Sequence, residues 1–178
     1  LVTDILRLNK LENREIFPEK RRVELGESVR RAVLGYMTAM EEKDIELDCD
    51  GIEDVAVSSD EDMLAPVWSN LLSNAVKFTP RGGKITVRVG EENGKAVVSV
   101  RDTGCGMSPE VGEHIFEKFY QGDSSHSGEG NGLGLALVKR VIDIVGGDIS
   151  VSSQVGRGST FTVRIRRGQD GEAEKIAG

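Results

Sequence analysis

A glycine-rich run at residues 128–139 is the feature that most constrains the fold. Its glycines, Gly128, Gly130, Gly132 and Gly134, stand at every second position, and an apolar helix-forming segment follows at once. Glycine permits positive φ and leaves amides uncovered, so the run predicts a mobile loop entering a helix N-terminus. First-turn amides lack intrahelical acceptors, and the helix dipole is positive there. The run therefore indicates an anion site, most often for phosphate, or else a plain flexible loop.

The composition favours one ordinary domain without nucleic acid as a partner. The chain has 178 residues, of which 38% are hydrophobic, enough for a single core with short appendages. A net charge of -7 argues against non-specific binding to nucleic acid or to anionic membranes. Cys49 and Cys105 are far apart and form no CxxC pair, which favours a reducing compartment.

The sequence has no apolar run near the roughly 18 to 20 residues that a membrane span needs, and no signal peptide. We therefore expect a cytoplasmic fragment that is not itself inserted in a membrane. The chain begins at Leu1 and enters directly on a helical pattern, so we expect it to be cut from a longer protein. Whether that parent protein is anchored in the cell membrane is left open.

Apolar periodicity predicts the order of helices and strands. Residues 1–13 place leucine and isoleucine on one helical face, either as the end of a longer amphipathic helix or as a terminal helix packed on its own domain. Further helices are expected at 28–40, 60–78, 109–114 and 133–145. Strands are expected at 21–25, 45–49, 55–57, 84–89, 96–100, 148–153 and 159–166. Ser59 and Asp60 are candidates to cap the helix at 60–78.

The helix at 60–78 carries a polar row on one face. Asn70, Asn74 and Lys77 stand at i, i+4 and i+7. Asparagine is a mediocre helix former because its side chain competes for backbone groups, so two of them within one helix need a reason. The row is either a solvent-facing surface or a place where two amide oxygens and an ammonium converge on a metal-phosphate group.

A carboxylate and two glycines follow the strand at 96–100. Asp102 precedes Gly104 and Gly106, whose bare backbone a flat ring can approach closely. A carboxylate only accepts hydrogen bonds and therefore selects an exocyclic amine such as that of adenine. The alternative is a turn in which Asp102 caps the strand.

The segment from 121 to 131 predicts a lid. Aromatic residues bracket Glu117 and Lys118, and a polar stretch rich in glycine and serine follows. Such a segment has little to bury, which is typical of a mobile lid over a site and equally of a disordered surface loop.

Five segments in this order resemble the N, G1, F, G2 and G3 boxes of the ATP-binding domain of sensor histidine kinases, in the GHKL or Bergerat-fold ATPase superfamily. They are residues 70–78, 102–107, 116–120, 130–135 and 158–161. The resemblance covers residues 20–166. It implies an α/β fold, an α+β two-layer sandwich whose mixed, mostly antiparallel sheet packs under about three helices, with a flexible ATP lid. It also implies the end of a dimerisation helix and linker at 1–15 and the catalytic domain at 16–167. Residues 168–178 are charged and short of apolar residues, which predicts a loose tail.

The same resemblance implies the cofactors ATP and Mg²⁺ and assigns roles at the adenine and metal ends. Asp102 would accept from the adenine amine, with Thr160 close by. Asn74 would supply an oxygen to Mg²⁺, a hard cation that prefers oxygen ligands. Asn70 would line the same face and Lys77 would neutralise phosphate charge.

The remaining site residues follow from the glycine and F boxes. Phe116 and Phe119 would anchor the lid. Gln121 stands where many relatives have an arginine that reaches the γ-phosphate, so Lys118 would take on more of that task. The other nucleotide-binding residues are expected to be Phe78, Gly104, Gly106, Met107, Gly130, Gly132, Leu133 and Gly134.

The implied reaction needs partners that the fragment lacks. No histidine has the context of a phosphoacceptor, since His114 adjoins the F box and His126 falls in the lid; both are interpreted as ordinary surface residues. The γ-phosphoryl group would pass to a histidine on the dimerisation helix of the homodimeric parent kinase, and then to a response regulator. The fragment alone is not expected to autophosphorylate.

Other functions remain as alternatives. Gyrase-like, chaperone-like and mismatch-repair-like ATPases carry a glutamate as general base where this chain has Asn70, so water attack is disfavoured. The same position argues against anti-sigma serine kinases. A nucleotide-binding regulatory module without catalysis is the third hypothesis, although all five boxes are intact. Rossmann and P-loop domains lack support, because no strand leads directly into the glycine run and no Gly-Lys-Ser/Thr is present.

Overall fold

The computed structural model describes residues 2–13, 16–121 and 132–168 of the chain. The helices are α1 (Val2–Asn13), α2 (Leu25–Leu34), α3 (Met37–Glu42), α4 (Glu61–Phe78), α5 (Pro109–His114) and α6 (Gly134–Ile144). The strands are β1 (Arg21–Glu24), β2 (Glu46–Ile52), β3 (Ala56–Ser59), β4 (Lys84–Glu92), β5 (Lys95–Asp102), β6 (Asp148–Gln154) and β7 (Gly158–Arg166).

Five strands form the main sheet in the order β2-β4-β5-β7-β6. Only β2 and β4 run parallel; the other neighbouring pairs are antiparallel. Alternate residues of the central strands are buried, such as Val87 of β4 and Val98 of β5, and they share one core with α4 and α6. The predicted two-layer sandwich of a mixed, mostly antiparallel sheet is confirmed.

The helix predicted at 28–40 is wrong as a single element, because it is two helices. α2 ends at Leu34, Gly35 is its C-cap, and Tyr36 is the N-cap of α3. Glycine lowers helix propensity by about 1 kcal/mol relative to alanine, so the chain breaks there most easily. At the break, the Tyr36 hydroxyl contacts α4, where it lies 2.8 Å from Ser69 Oγ.

The two short strands predicted at the start of the domain form a sheet of their own. β1 and β3 pair antiparallel, with Val23 opposite Val57. The chain following β7 joins this small sheet, because Ser58 N donates to the carbonyl oxygen of Arg167 at 2.9 Å. The pairing of β1 with β3 was not predicted, since neither strand shows in its own sequence which partner it takes.

α4 begins where the sequence predicted. Asp60 is its N-cap and accepts from Met63 N at 3.3 Å. Trp68 is buried, and its indole N–H donates to Ser28 Oγ at 3.1 Å. Ser28 in turn donates to Glu61 Oε1 at 2.9 Å, so a partly buried chain of hydrogen bonds joins α2 to the first turn of α4.

α1 packs against α6, with Leu8 buried and Leu11 against the core. Arg140 of α6 donates to the carbonyl oxygen of Leu11 from both Nε, at 3.2 Å, and Nη2, at 2.9 Å. A guanidinium is well suited to the last carbonyls of a helix, which have no intrahelical donor. Within residues 2–13, 16–121 and 132–168, no helix is both long and apolar enough to span a bilayer.

Candidate functional site

A buried carboxylate lies at the end of β5. Asp102 is 6% exposed, and its Oδ1 accepts from Gly104 N at 2.8 Å. Burial raises the pKa of this carboxyl above its ordinary value, while backbone hydrogen bonds from Gly104 and Ser159 oppose the rise. Two backbone amides therefore donate to this carboxylate, and its remaining lone pairs are suited to accept from a donor on a ligand.

The loop after β5 comes close to the end of α4. A Cβ atom on Gly104 would lie 2.5 Å from the carbonyl oxygen of Phe78 and 2.8 Å from Asp102 Oδ1. Only a residue without a side chain fits between them. Phe78, Asp102 and Gly104 are therefore brought together, and Met107 follows on the same loop, half-buried.

The strand register corrects the expectation for Thr160 by one residue. Ser159 lies opposite Asp102, whereas Thr160 lies opposite Arg101. Ser159 is buried like Asp102, while Arg101 is exposed. Directly opposite residues share a face of the sheet, so Thr160 belongs to the face away from the carboxylate and Ser159 is the hydroxyl beside it.

The polar row of α4 extends from the start of α6 to the carboxylate. A Cβ atom on Gly134 would lie 2.8 Å from Asn70 Oδ1, so Asn70 contacts the first turn of α6. Phe78 lies at the other end of the row, and eight residues of helix separate the two by about 12 Å. The site is therefore elongated, with a carboxylate at one end and a helix N-terminus at the other.

Asn74 and Lys77 lie between these two ends. Both side chains are half-buried. Lys77 Nζ is 5.2 Å from the centroid of the Phe78 ring, within cation–π range. Asn70 is held differently, since its Nδ2 donates to the carbonyl oxygen of Pro66 at 2.8 Å, which leaves its amide oxygen toward α6. The row thus brings two amides and one ammonium to the same helix face, as the sequence predicted.

The F-box aromatics divide into one that is packed and one that is exposed. The Phe116 ring packs edge to face on Phe161, with centroids 6.3 Å apart. Phe119 is 64% exposed, and its backbone takes a positive φ of 60°. Its amide donates to the carbonyl oxygen of Gly132 at 3.0 Å. Among the described residues, Phe116 is held by its ring and Phe119 by its backbone amide; that the two rings anchor the lid stays a prediction.

Lys118 is paired away from the row on α4. Its ammonium forms an ion pair with Glu12 at the end of α1. His114 Nδ1 is 2.7 Å from Glu117 Oε1, which raises the pKa of the imidazole, and the side chain is exposed. Gly130, His126 and most of the expected lid lie outside the described residues.

Known proteins resemble this chain in sequence and in structure. Residues 59–169 match the family described as "Histidine kinase-, DNA gyrase B-, and HSP90-like ATPase". The chain belongs to this ATPase family. Its relatives include the sensor-like histidine kinase SenX3 of Mycobacterium tuberculosis, 34% identical over 93% of this chain and 41% of SenX3. Sensor histidine kinase CusS of Escherichia coli is 34% identical over 92% of this chain and 34% of CusS.

Solved structures of histidine kinases share the fold of this ATPase domain. Full-length ShkA in complex with AMPPNP is 30% identical, with a TM-score of 0.81 over 93% of this chain and 35% of ShkA. The catalytic domain of histidine kinase ThkA is 27% identical, with a TM-score of 0.72 over 84% of this chain and 96% of that domain. The chain thus corresponds to a histidine kinase catalytic domain and spans about two fifths of the length of SenX3.

Sequence reasoning missed several contacts of the ATPase domain. Thr160 rather than Ser159 was expected beside Asp102, because the sequence of β7 does not show how this strand is aligned with β5. The pairing of Glu12 with Lys118 and the capping of Leu11 by Arg140 join segments more than 100 residues apart in sequence. The helical periodicity of residues 1–13 was the one signal that an apolar face there needed a partner.

Proposed function

We propose that this domain binds ATP with Mg²⁺ and transfers the γ-phosphoryl group to a histidine on a dimerisation helix. The observation that carries the proposal is the buried Asp102 at one end of the α4 row and the start of α6 at the other. The carboxylate would accept from the adenine amine, and the first turn of α6 would receive the phosphates.

The side chains at this site could hold Mg²⁺ only together with phosphate oxygens of a bound nucleotide. Within the described ranges, no group of three histidine, cysteine, aspartate or glutamate side chains is placed to hold a metal. Asn74 offers one amide oxygen, a ligand type that Mg²⁺ accepts alongside phosphate oxygens and water. Bound there, Mg²⁺ would neutralise charge on the phosphates during transfer. A site of this kind holds the metal through the nucleotide rather than in a cage of protein side chains.

The chain's own residues would act by positioning and charge. Lys77 would place an ammonium beside the phosphates, and the amides at 132–134 would point at them. Asp102 and the glycine loop would fix the base, so that the terminal phosphate is presented in one orientation. Lys118 would add a second positive charge once it leaves Glu12.

The geometry weighs against hydrolysis by water. Asn70 occupies the position of the general base in hydrolytic relatives, and its amide N–H group is engaged by the carbonyl of Pro66. An amide cannot take a proton from water at neutral pH, so transfer to a protein acceptor is the better account. The partners would be the histidine-bearing helix of the homodimeric parent and a response regulator, with the domain working in the cytoplasm.

The proposed function is tested by titration calorimetry of ATP, with and without Mg²⁺, followed by a transfer assay. For the transfer assay, a longer piece of the same protein is expressed that includes the proposed histidine-bearing helix. Radiolabel from the γ-phosphate of ATP is expected in an acid-labile, base-stable protein adduct. Binding of ATP without any such adduct would leave a regulatory nucleotide module, and no binding at millimolar ATP would contradict the proposal itself.

Asn74→Ala is expected to remove mainly the Mg²⁺-dependent part of ATP affinity. Loss of one metal ligand should weaken Mg²⁺-ATP binding about tenfold, while metal-free ATP changes little. Calorimetry with EDTA and with Mg²⁺ gives the two affinities, and Ser73→Ala, an exposed neighbour on α4, is the control. An equal loss in both conditions would contradict the metal role.

Glu12→Gln is expected to raise ATP affinity by about two- to fivefold, because exposed ion pairs contribute up to about 1 kcal/mol and this one competes for Lys118. Lys118→Ala should lower affinity instead. Calorimetry measures both, and Glu27→Gln, which removes an exposed pair with Arg31 on α2, should change nothing. Unaltered affinity in both Glu12→Gln and Lys118→Ala would exclude Lys118 from phosphate binding.

A further inference from the structure

One serine of β6 joins three segments around the carboxylate end of the site. Ser153 Oγ accepts from Met107 N at 2.8 Å and lies 3.1 Å from the carbonyl oxygen of Gly158. It also lies 2.8 Å from Ser159 Oγ. Ser153 is half-buried, and none of the five sequence boxes includes it.

The hydrogen-bonding capacity of this hydroxyl is used in full. A serine hydroxyl has one proton and two lone pairs. Met107 N occupies one lone pair, and the Ser153 proton goes to the carbonyl oxygen of Gly158. The Ser159 hydroxyl then donates to the second lone pair. Each donor has one acceptor, which makes the arrangement specific and stable.

The same loop meets the β6–β7 hairpin at two more points. Gly156 N donates to the carbonyl oxygen of Cys105 at 2.7 Å. A Cβ atom on Gly106 would lie 2.6 Å from the carbonyl carbon of Gln154 and closer still to its oxygen. The loop at 103–108 therefore packs against the β6–β7 hairpin. Ser153 supplies the side-chain hydrogen bond that holds the loop at Met107.

We propose that Ser153 is a positioning residue for the adenine-binding loop. It holds Met107, and through it the loop that carries Gly104 and Gly106, at a fixed distance from Asp102. Ser153 acts through these backbone groups and does not touch the nucleotide. The inference rests on the proposed binding of ATP at Asp102 and adds a residue that orients the base.

The test compares Ser153→Ala with Ser153→Thr, which keeps the hydroxyl on a β-branched side chain suited to a strand. Ser153→Ala leaves Met107 N without its partner and should weaken ATP, ADP and AMP binding by the same factor, about tenfold. The factor should not depend on Mg²⁺, unlike that of Asn74→Ala. Ser153→Thr should bind within about twofold of wild type, as should Ser152→Ala, the control on the exposed face of β6.

Wild-type affinity in Ser153→Ala would overturn the inference, as would a loss seen only with Mg²⁺. A loss for ATP but not for AMP would also overturn it, because it would place the effect at the phosphates. Amide hydrogen exchange in the wild-type protein provides a measurement that needs no variant. Met107 N should be protected from exchange like Gly104 N, which also donates a hydrogen bond in this loop, and fast exchange would contradict the hydrogen bond to Ser153. If the wild-type protein binds no ATP, the proposed function fails. The exchange rate of Met107 N still tests, independently of ATP, whether Ser153 holds the loop.

Discussion

Asp102→Asn is expected to weaken ATP binding by about 10- to 150-fold. A hydrogen bond to a charged acceptor contributes about 1.5 to 3 kcal/mol, and each 1.4 kcal/mol is a factor of ten in affinity. The asparagine oxygen can still accept from Gly104 N, as Asp102 Oδ1 does at 2.8 Å. Its amide group then presents a donor to the adenine amine, which is also a donor. Titration calorimetry with ATP and with AMP should show equal losses.

The same variant should lack the loss of stability that wild type shows as pH rises through the range in which Asp102 titrates. Burial raises the pKa of Asp102, so the folded protein holds this proton more tightly than the unfolded chain. The stability of the wild-type protein therefore falls as pH rises from the ordinary value through the raised one, and the neutral amide avoids that loss. Urea unfolding on both sides of this window measures the difference. Wild-type ATP affinity in a folded Asp102→Asn protein would remove the adenine role of this carboxylate.

Gly158→Ala is expected to destabilise the protein by about 3 to 5 kcal/mol, combining backbone strain with overlap that side chains cannot relieve. Gly158 has φ of +109°, and a Cβ atom there would lie 2.8 Å from the carbonyl carbon of Asp102 and closer still to its oxygen. The clash falls on backbone next to the carboxylate, so ATP binding should be lost as well. Urea unfolding and calorimetry measure the two effects.

Gly156→Ala is the matched control on the same hairpin. Gly156 also has a positive φ, of +77°, but a Cβ atom there has nothing within 4 Å. Only the left-handed conformation is penalised, at about 1 to 2 kcal/mol. Equal destabilisation of the two variants would show that the close approach of Gly158 to Asp102 is not what requires glycine.

Local patterns predicted most of the secondary structure. Alternation identified β4 and β5, and the acidic cluster after Ser59 located the start of α4. These signals are local because side-chain period and helix capping are properties of adjacent residues. The prediction of one helix at 28–40 was wrong because the break depends on more than adjacent residues. A single glycine is tolerated in many helices, and the tertiary contact between Tyr36 and Ser69 that accompanies the break cannot be read from either residue.

The placement of the candidate residues was predictable where they fall on one element, while their roles stay predictions. The row of Asn70, Asn74 and Lys77 required only helical spacing, and Asp102 required only the end of a strand. Thr160 was placed one residue out of register, because pairing between distant strands decides which face a residue occupies. The ion pair of Lys118 with Glu12 depends on how α1 packs, which no spacing within either segment specifies.

The capping of α1 by Arg140 connects α1 to the helix whose first turn borders the candidate site. Arg140 lies midway along α6, and the first residue of that helix, Gly134, faces Asn70. Sharp kinks in helices arise mostly at proline, at glycine or serine pairs and at π-bulges, and α6 has no proline, glycine or serine after its first residue. A displacement of α1 that keeps the hydrogen bonds at Leu11 has to be followed by the Arg140 side chain or by α6 itself, whose first residue faces the polar row of α4.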